Sequence, residues 1–308
     1  DCTHCGLPGF KMTNMPHREF IYRAAFELGH HIIGYEVQKV LAAVDWFTDA
    51  AGRDDAEHPP LGVIGYGEGG LLSLYATALD ERISAASVLG YFGPREGLWK
   101  EPIYRNVFAL LETFGDAEIA SLIAPRALIV EACAHPAVDG PPTPTESRSA
   151  AAASGRIDTP PTEAVAREIQ QARKLTEGLL PAPTLELIIP EKDTPGPGSA
   201  PTLAAFLGAL GLARNGTSAC QPTPAGTAAP AIAARQERQF RELSEHTQTL
   251  LRDAEFRRTE FWAEADATSV EAWETSSDAY RDHLWQDIIG KFPAPSLPPT
   301  PASRLIYE

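Results

Sequence analysis

The segment Leu61–Gly70 reads LGVIGYGEGG, and it sets the expectation for the fold of the whole chain. A short apolar run enters a turn of small residues, and the apolar stretch Leu71–Leu79 follows directly. An apolar run of this length favours a strand buried in a parallel sheet, and the stretch after the turn favours a helix. The pattern therefore predicts a strand, a tight turn centred on Gly67, and a helix.

The same alternation continues on both sides of this unit. Apolar runs that predict further strands cover Ile83–Phe92, Arg126–Ala132 and Thr184–Pro190. Apolar residues at three- and four-residue spacing predict helices over Glu19–Ala51 (with Gly29 and Gly34 as candidate breaks), Ala164–Gly178 and Leu203–Leu210. Alternating strands and helices are typical of a parallel sheet that is covered on both faces. The predicted fold class is α/β, with a mostly parallel sheet and flanking helices.

The pattern changes after residue 212. Residues 213–232 are rich in Pro, Gly and Ala and predict a linker. Residues 233–308 then carry long helical patterns, the first over Ala233–Ala265 and the second beginning at Ser269. We predict a domain over 1–212, the linker, and an all-helical tail. Because the chain begins at Asp1 and ends on a strand-like run from Arg304, we also expect it to be a piece of a longer polypeptide.

The composition argues against two classes of partner. The 308 residues include 26 Lys and Arg against 41 Asp and Glu, a formal net charge of −15. Such acidity repels nucleic-acid phosphates and anionic lipids, so we expect neither a nucleic acid nor a membrane as partner. Cys2 and Cys5 form a C-x-x-C, but no second pair stands at zinc spacing. We expect no metal and no cofactor, and the sequence does not indicate a compartment.

The turn at Gly67 has the form of a nucleophile elbow, in which a reactive side chain stands between two glycines. Gly65 and Gly69 hold the flanking positions, so Gly67 stands at the position of the nucleophile. The helix behind the turn supplies backbone N–H groups and a positive dipole end for a developing oxyanion. Because glycine has no side chain, the sequence predicts an elbow without a nucleophile.

With these motifs the chain resembles the α/β-hydrolases of the dienelactone hydrolase and acetyl xylan esterase-like group. The elbow, the passage Asp80–Ile83 (DERI) and the passage Glu118–Glu131 (EIASLIAPRALIVE) carry the resemblance in this order. It covers about residues 13–212 and implies the C-terminal half of an α/β-hydrolase domain, that is, a carboxylic ester hydrolase-like module. The tail resembles the segment that joins two hydrolase modules in one polypeptide, which implies a downstream module as a partner.

The resemblance also implies positions for a catalytic acid and a catalytic base. The acid is expected at Glu131, with Asp139 a few residues on, although a polar strand end fits Glu131 equally well. The base is expected in the loop Pro190–Ser199, which contains no histidine, and a hydroxyl nucleophile needs an imidazole to take its proton. His135 is the candidate replacement. Glu68 is either a solvated first-turn carboxylate that the helix dipole favours, or a displaced acid or nucleophile.

Two further features leave alternatives open. His17 precedes the first helix on a polar loop, where it either contacts a ligand or is an ordinary loop residue. The insertion Gly93–Gly115 either caps a pocket for a planar or sugar-like substrate or packs on the sheet. The side chains on which this choice depends are Arg95, Trp99, Tyr104, Arg105, Phe108 and Phe114.

Three functions follow from these features. The first is a hydrolase module that is catalytically silent by itself and belongs to a larger esterase, a pseudoenzyme. The second is an active esterase that uses Glu68, Glu131 and His135. The third is a carbohydrate- or ligand-binding module that uses the aromatic side chains of the insertion. The expected small-molecule partner is an ester, a carbohydrate ester included, and the glycine at position 67 favours the first function.

Overall fold

The computed structural model describes residues 12–51, 59–191, 196–212 and 232–297. The helices are α1 (His17–Phe26), α2 (Ile32–Ala51), α3 (Glu68–Leu79), α4 (Leu110–Thr113), α5 (Asp116–Ser121), α6 (Thr162–Leu175), α7 (Ala200–Ala209), α8 (Ile232–Phe261) and α9 (Val270–His283). The strands are β1 (Leu61–Tyr66), β2 (Ile83–Leu89), β3 (Ala127–Glu131), β4 (Val138–Asp139), β5 (Arg156–Ile157) and β6 (Leu185–Ile188).

The main sheet contains four parallel strands in the order β1, β2, β3, β6. Gly65 pairs with Val88, Val88 with Val130, and Val130 with Leu187, so the carboxyl ends of all four strands lie at one edge. At least one helix lies in the chain between each of these strands and the next, as parallel connections usually have. The prediction of an α/β fold with a mostly parallel sheet and flanking helices is confirmed. Strands β4 and β5 form a separate antiparallel pair.

The apolar runs of the sequence lie where their composition predicts. Strand β3 is buried along its whole length and β2 nearly so, whereas β1 alternates between half-buried and exposed residues because it is an edge strand. One face of the sheet packs into the main core with α2, α3 and α6. The other face packs against Phe206 and Leu210 at α7. A Cβ atom on Gly62 would lie 2.6 Å from the Phe206 ring, so this close approach requires a glycine.

The predicted first helix is two helices with a turn between them. Helix α1 ends at Phe26 and α2 begins at Ile32. Gly29 lies between them with a φ of +73°, a conformation that favours glycine. Gly34, the other candidate break, lies inside α2, where nothing crowds it. Only the first glycine therefore ends a helix.

The insertion Gly93–Gly115 folds into short turns, with 3-10 helices at Leu98–Lys100 and Ile103–Arg105 and the single turn of α4. Its aromatic side chains do not share one environment. Trp99 is 76% and Phe108 61% exposed, whereas Tyr104 is buried. Arg95 and Arg105 are buried as well, and their guanidinium groups lie over the Tyr91 ring, 4.8 Å and 5.2 Å from its centre.

The chain divides into two compact units, residues 1–248 and residues 249–308, and the boundary falls within α8. Within the first unit, Phe240 is buried in the main core, and its ring lies 4.7 Å from that of His17. The beginning of the predicted tail is thus part of the first unit's core. The predicted domain limits at 212 and 233 stay predictions, because residues 213–231 of the linker lie outside the described residues.

The second unit is helical, which confirms the predicted helical tail. Helix α9 begins after Ser269, whose hydroxyl accepts a 3.0 Å hydrogen bond from Ala272 N, the capping contact that serine favours. The chain continues as a π-helix over Leu284–Ile289. The rings of Trp262 and Tyr280 stack at 4.2 Å. Among the described residues, no helix is both long enough and apolar enough to cross a bilayer.

Candidate functional site

Gly67 forms the turn between β1 and α3, at the carboxyl edge of the sheet. Its backbone has φ +57° and ψ −118°, a conformation that residues with side chains adopt only under strain. Gly67 N donates a 2.9 Å hydrogen bond to Leu89 O at the end of β2, and Gly67 O accepts one from Gly70 N at 2.9 Å. The turn is therefore held on both sides and has the backbone form of a nucleophile elbow.

The two glycines that flank the elbow are not equivalent. A Cβ atom on Gly65 would lie 1.9 Å from Gly69 O and 2.5 Å from Ser73 Oγ, so only glycine fits there. A Cβ atom on Gly69 would meet nothing within 4 Å outside its own helix. The surrounding atoms therefore require glycine at position 65 but would accommodate a larger residue at position 69.

The ring of Pro136 fills the space into which a side chain at position 67 would extend. A Cβ atom on Gly67 would lie 2.8 Å from Pro136 Cδ and 3.0 Å from its Cγ, closer than carbon atoms approach each other. The same Cβ atom would lie 3.5 Å from His135 Nε2. Pro136 itself is exposed on its outer side, so it covers the elbow as a lid one residue thick.

His135 lies beside the elbow and is buried, with 7% of its surface exposed. Its backbone N–H donates to Thr159 Oγ1 at 2.9 Å, and its Nδ1 lies 2.6 Å from Pro136 O. Since a carbonyl oxygen only accepts, Nδ1 carries the proton and Nε2 presents a lone pair. Nε2 is buried and has no hydrogen-bond partner in the described residues. Burial lowers the pKa of His135, so the ring is neutral at pH 7.

Glu68 is half-buried rather than solvated, and two arginines pair with it. Arg18 Nη1 donates to Glu68 Oε2, and Arg105 Nε lies 3.0 Å from Glu68 Oε1. Burial opposes the charged carboxylate, but Arg18 and Arg105 outweigh it and lower the pKa of Glu68. Arg18 is held in turn by Glu36, through bonds of 3.0 Å from Nε and 2.7 Å from Nη2. The carboxylate next to the elbow is therefore a stabilised anion.

Arg105 connects the insertion to the elbow. Its Nη1 donates to Glu101 Oε2 at 2.7 Å, and its guanidinium lies over the Tyr91 ring at 5.2 Å from the ring centre. The residue is 3% exposed. Its Nε and Nη2 atoms, like Glu68 Oε1, are buried and have no aligned hydrogen-bond partner in the part of the chain that the structure describes. Beside the elbow, the guanidinium of Arg105 and the carboxylate of Glu68 thus lie close together, but not all of their polar atoms form aligned hydrogen bonds.

Glu131 ends β3 at the expected position of the acid, but its carboxylate is used elsewhere. It is 1% exposed and accepts hydrogen bonds from Gly198 N at 2.9 Å, Ser199 N at 2.8 Å and Ser199 Oγ at 2.8 Å. Burial raises the pKa of Glu131, but the hydroxyl of Thr202, together with Gly198 and Ser199, outweighs it, so the net shift is downward. The neighbouring Cys133 has its pKa raised to about 12 by burial and by Glu131, which keeps it a neutral thiol.

Ser199 thus occupies the place opposite the acid where the resemblance implies an imidazole. Its hydroxyl donates to Glu131 and also lies 2.9 Å from Thr202 Oγ1 at the start of α7. Residues 192–195 of this loop lie outside the described residues. Asp139, the alternative acid, is exposed in β4.

His17 lines a cavity of about 580 Å³ at the side of the first unit. The cavity lies between α1, α2, the loop 137–143 and α8, and its floor includes Ile21, Tyr104 and Phe240. Neither Gly67 nor His135 lines it, but Arg18, which pairs with Glu68 beside the elbow, does. The ion pair between Arg18 and Glu68 therefore connects this cavity to the residue next to the elbow.

No group of three or more His, Cys, Asp or Glu is placed to hold a metal ion within the ranges that the structure covers. Cys2 and Cys5, together with Cys220, His4 and His58, lie outside the described residues. The strand-like run from Arg304 lies outside them as well.

The structure brings Gly67, Glu68 and His135 together and directs the Glu131 carboxylate to α7. Sequence reasoning did not assign a role to Arg18, Pro136 or Ser199. One feature of the sequence could have indicated Pro136, because it directly follows the candidate base His135. The partners of Arg18 are 18 and 50 residues away in sequence, and no local pattern indicates such pairs.

A strained strand-to-helix elbow at the carboxyl edge of a parallel sheet, with helices on both faces, defines a partial α/β-hydrolase-like fold. Two solved structures show distant similarity to the chain. Methylesterase BT1017 is 19% identical with a TM-score of 0.35, and the match covers 57% of this chain and 35% of that one. A promiscuous CE15 esterase from a marine bacterial metagenome is 15% identical with a TM-score of 0.34, over 59% of this chain and 48% of that one.

The chain thus spans between about a third and a half of the length of these two esterases, 35% and 48%. No family model matches the chain, and no curated protein matches it significantly.

Proposed function

We propose that this chain is an α/β-hydrolase module of the dienelactone hydrolase and acetyl xylan esterase-like group that has lost its nucleophile and has no esterase activity of its own. The observation that carries the proposal is the elbow itself. Gly67 keeps the strained backbone, while Pro136 stands 2.8 Å from where the first side-chain atom of a nucleophile would lie. Covalent ester hydrolysis needs a reactive side chain at that point.

The nearby carboxylates support the same proposal. Glu68 is paired with Arg18 and Arg105, which stabilise its anion and make it a weak base and a weak nucleophile. Glu131 has its oxygens bonded to Gly198 and Ser199. An esterase built on Glu68, Glu131 and His135 would have to break these contacts first.

In this proposal the module belongs to a larger esterase, and a downstream hydrolase module in the same polypeptide turns over the ester substrate. The expected substrate class is a small-molecule or carbohydrate ester. The motif resemblance of the sequence supports this part of the proposal. A polypeptide extended past residue 308 is the molecule on which to test it.

The test measures hydrolysis of p-nitrophenyl acetate and covalent labelling by a fluorophosphonate. We expect no turnover above the rate of buffer and no adduct by intact-mass spectrometry, because the elbow has no nucleophilic atom. The matched controls are Glu68→Gln and His135→Ala, which we expect to give the same background. Turnover that falls in either variant, or an adduct on the unmodified chain, would contradict the proposal.

A further inference from the structure

We infer that His135 is a general base retained at the elbow, supplied by the loop after β3, and that the ring of Pro136 alone keeps it from a nucleophile at position 67. The inference rests on the proposed function, since both concern one elbow. It predicts what happens when the nucleophile and the space for it are restored.

The geometry places the imidazole within reach of position 67. A Cβ atom there would lie 3.5 Å from His135 Nε2, so an oxygen attached to it reaches the hydrogen-bond distance of about 3 Å that a general base needs. The obstacle at the same position is Pro136, whose Cδ would lie 2.8 Å from that Cβ atom. Replacing proline by alanine removes the two ring atoms in conflict, Cγ and Cδ, keeps the carbonyl oxygen that binds His135 Nδ1, and adds one backbone N–H.

The ring is also held in the orientation and form that a base requires. Nδ1 is bonded to Pro136 O, and the backbone N–H is bonded to Thr159 Oγ1, so the ring has a fixed orientation. Nε2 is a buried acceptor to which no described residue donates, in a side chain that belongs to a 7% exposed residue. A buried ring nitrogen without a partner is uncommon, because it loses its hydrogen bond to water and gains nothing. This atom is the second observation, besides the elbow, that indicates a functional site.

The position of this base differs from the one that the resemblance implies. The imidazole was expected after the last strand, where Ser199 now bonds to Glu131. His135 instead comes from the loop that follows the acid. The Glu131 carboxylate makes its described contacts at α7, so the pair at the elbow would be a hydroxyl and an imidazole without a carboxylate behind them. A dyad of this kind activates a hydroxyl by proton transfer to Nε2.

The experiment uses the full chain carrying Gly67→Ser together with Pro136→Ala, treated with a fluorophosphonate. The introduced hydroxyl oxygen attacks phosphorus, the P–F bond breaks, fluoride leaves, and the hydroxyl proton passes to His135 Nε2. Intact mass and a peptide map should place one phosphonyl group at position 67. We expect labelling about 100-fold faster than in the matched chain that also carries His135→Gln.

The pH profile gives a readout that a structural role would not move. The charged groups that act on His135 are Arg105, Glu68 and Glu101. Burial, opposed by the bond to Pro136 O and by the two carboxylates, keeps the pKa of His135 below its ordinary value. Labelling should therefore hold through neutral pH and fall only as the pH drops through that lowered pKa. A rate that does not depend on pH over this range would overturn the inference.

Two results decide against the inference directly. One is a double variant that is not labelled although its thermal unfolding shows that it is folded. The other is equal labelling of the chain that carries His135→Gln. If Gly67→Ser prevents folding, the inference can still be tested with the single variant Pro136→Ala, because this variant leaves the strained glycine unchanged. In that variant diethyl pyrocarbonate should modify His135 at Nε2 at least about 10-fold faster than in the unmodified chain, and an unreactive His135 would overturn the inference.

These outcomes are distinct from failure of the proposed function. Labelling of the unmodified chain would overturn the proposed function, whereas an unlabelled, folded double variant overturns only the role of His135. Gly67→Ser alone is the control for the lid, and we expect it to remain unlabelled because Pro136 still closes the position.

Discussion

The carboxylate of Glu131 shows how one buried charged side chain can join two elements of a fold. It is a charged group with 1% of its surface exposed, and burial of an unpaired charge is strongly unfavourable. Three donors from Gly198 and Ser199 compensate for this at the start of α7. Glu131 therefore connects the end of β3 to the beginning of α7.

Glu131→Gln should lower the free energy of unfolding at pH 7 by about 2 kcal/mol, because hydrogen bonds to a charged acceptor are lost or weakened. The matched control is Glu186→Gln on the neighbouring strand β6, where the side chain is exposed, and we expect a change within about 0.5 kcal/mol. Urea denaturation measures both. Equal effects of the two substitutions would contradict the assigned contacts.

The same carboxylate predicts a pH dependence. The pKa of Glu131 is lower in the folded chain than its ordinary value, so the folded state favours the charged form. Its stabilisation is fully present above the unfolded pKa of about 4.3 and is lost as the pH falls through the folded pKa. The difference in stability between the unmodified chain and Glu131→Gln should therefore shrink below about pH 4. Denaturation curves at pH 7, 5 and 3 would show it, and a constant difference would contradict it.

At the scale of elements, the elbow is a junction between β1 and α3 that depends on close contact. The strand reaches the helix so directly that Gly65 lies against Gly69 O, at 1.9 Å from where its Cβ atom would be. The next strand closes the junction, because Leu89 O accepts from Gly67 N. The close packing of strand and helix therefore accounts for this turn without any role for a side chain at position 67.

Gly65→Ala should destabilise the chain by about 3 kcal/mol, since a backbone oxygen, which no rotamer change can move, stands in the way of the new methyl group. Gly69→Ala, four residues away in the same motif, should leave stability unchanged or raise it by about 0.5 kcal/mol through helix propensity. Thermal unfolding of the two variants measures the contrast. Similar midpoints would show that the junction is looser than the structure has it.

At the scale of the whole molecule, α8 is the element that the two units share. Its residues up to 248 belong to the first unit and those from 249 to the second. Phe240 is 4% exposed and packs in the main core beside Phe20, with ring centres 5.0 Å apart. The first unit therefore buries a side chain that the sequence pattern had placed in a separate tail.

Phe240→Ala should lower the stability of the first unit by about 3 to 5 kcal/mol, the usual result when a buried phenylalanine is removed. Phe256→Ala, on the same helix but 74% exposed, should change it by less than about 0.5 kcal/mol. Hydrogen exchange at the backbone amides of β2 and β3, measured as a function of denaturant, reports the stability of that core. A small effect of Phe240→Ala on these amides would show that α8 is dispensable to it.

The fold could be predicted from sequence wherever local pattern and tertiary burial agree. Strand β3 was predicted over Arg126–Ala132 and runs from Ala127 to Glu131, because an apolar run of this length is stable only between two covered faces. The candidate site was predictable in part, because Gly67, Glu68 and His135 lie close to sequence motifs. The hydrogen bond from Ser199 to Glu131 could not be predicted from the sequence. The two residues are 68 positions apart, and the contact forms only when β3 and α7 pack.

The sequence by itself determined the parallel sheet, its flanking helices, the helical tail and the glycine at the elbow, because these follow from periodicity and from the absence of a side chain. Only the tertiary structure decided that Pro136 closes the space beside that glycine and that His135 Nε2 faces it. It also decided that arginines from α1 and from the insertion pair with Glu68. These are contacts between distant segments, and their distances depend on how the elements pack.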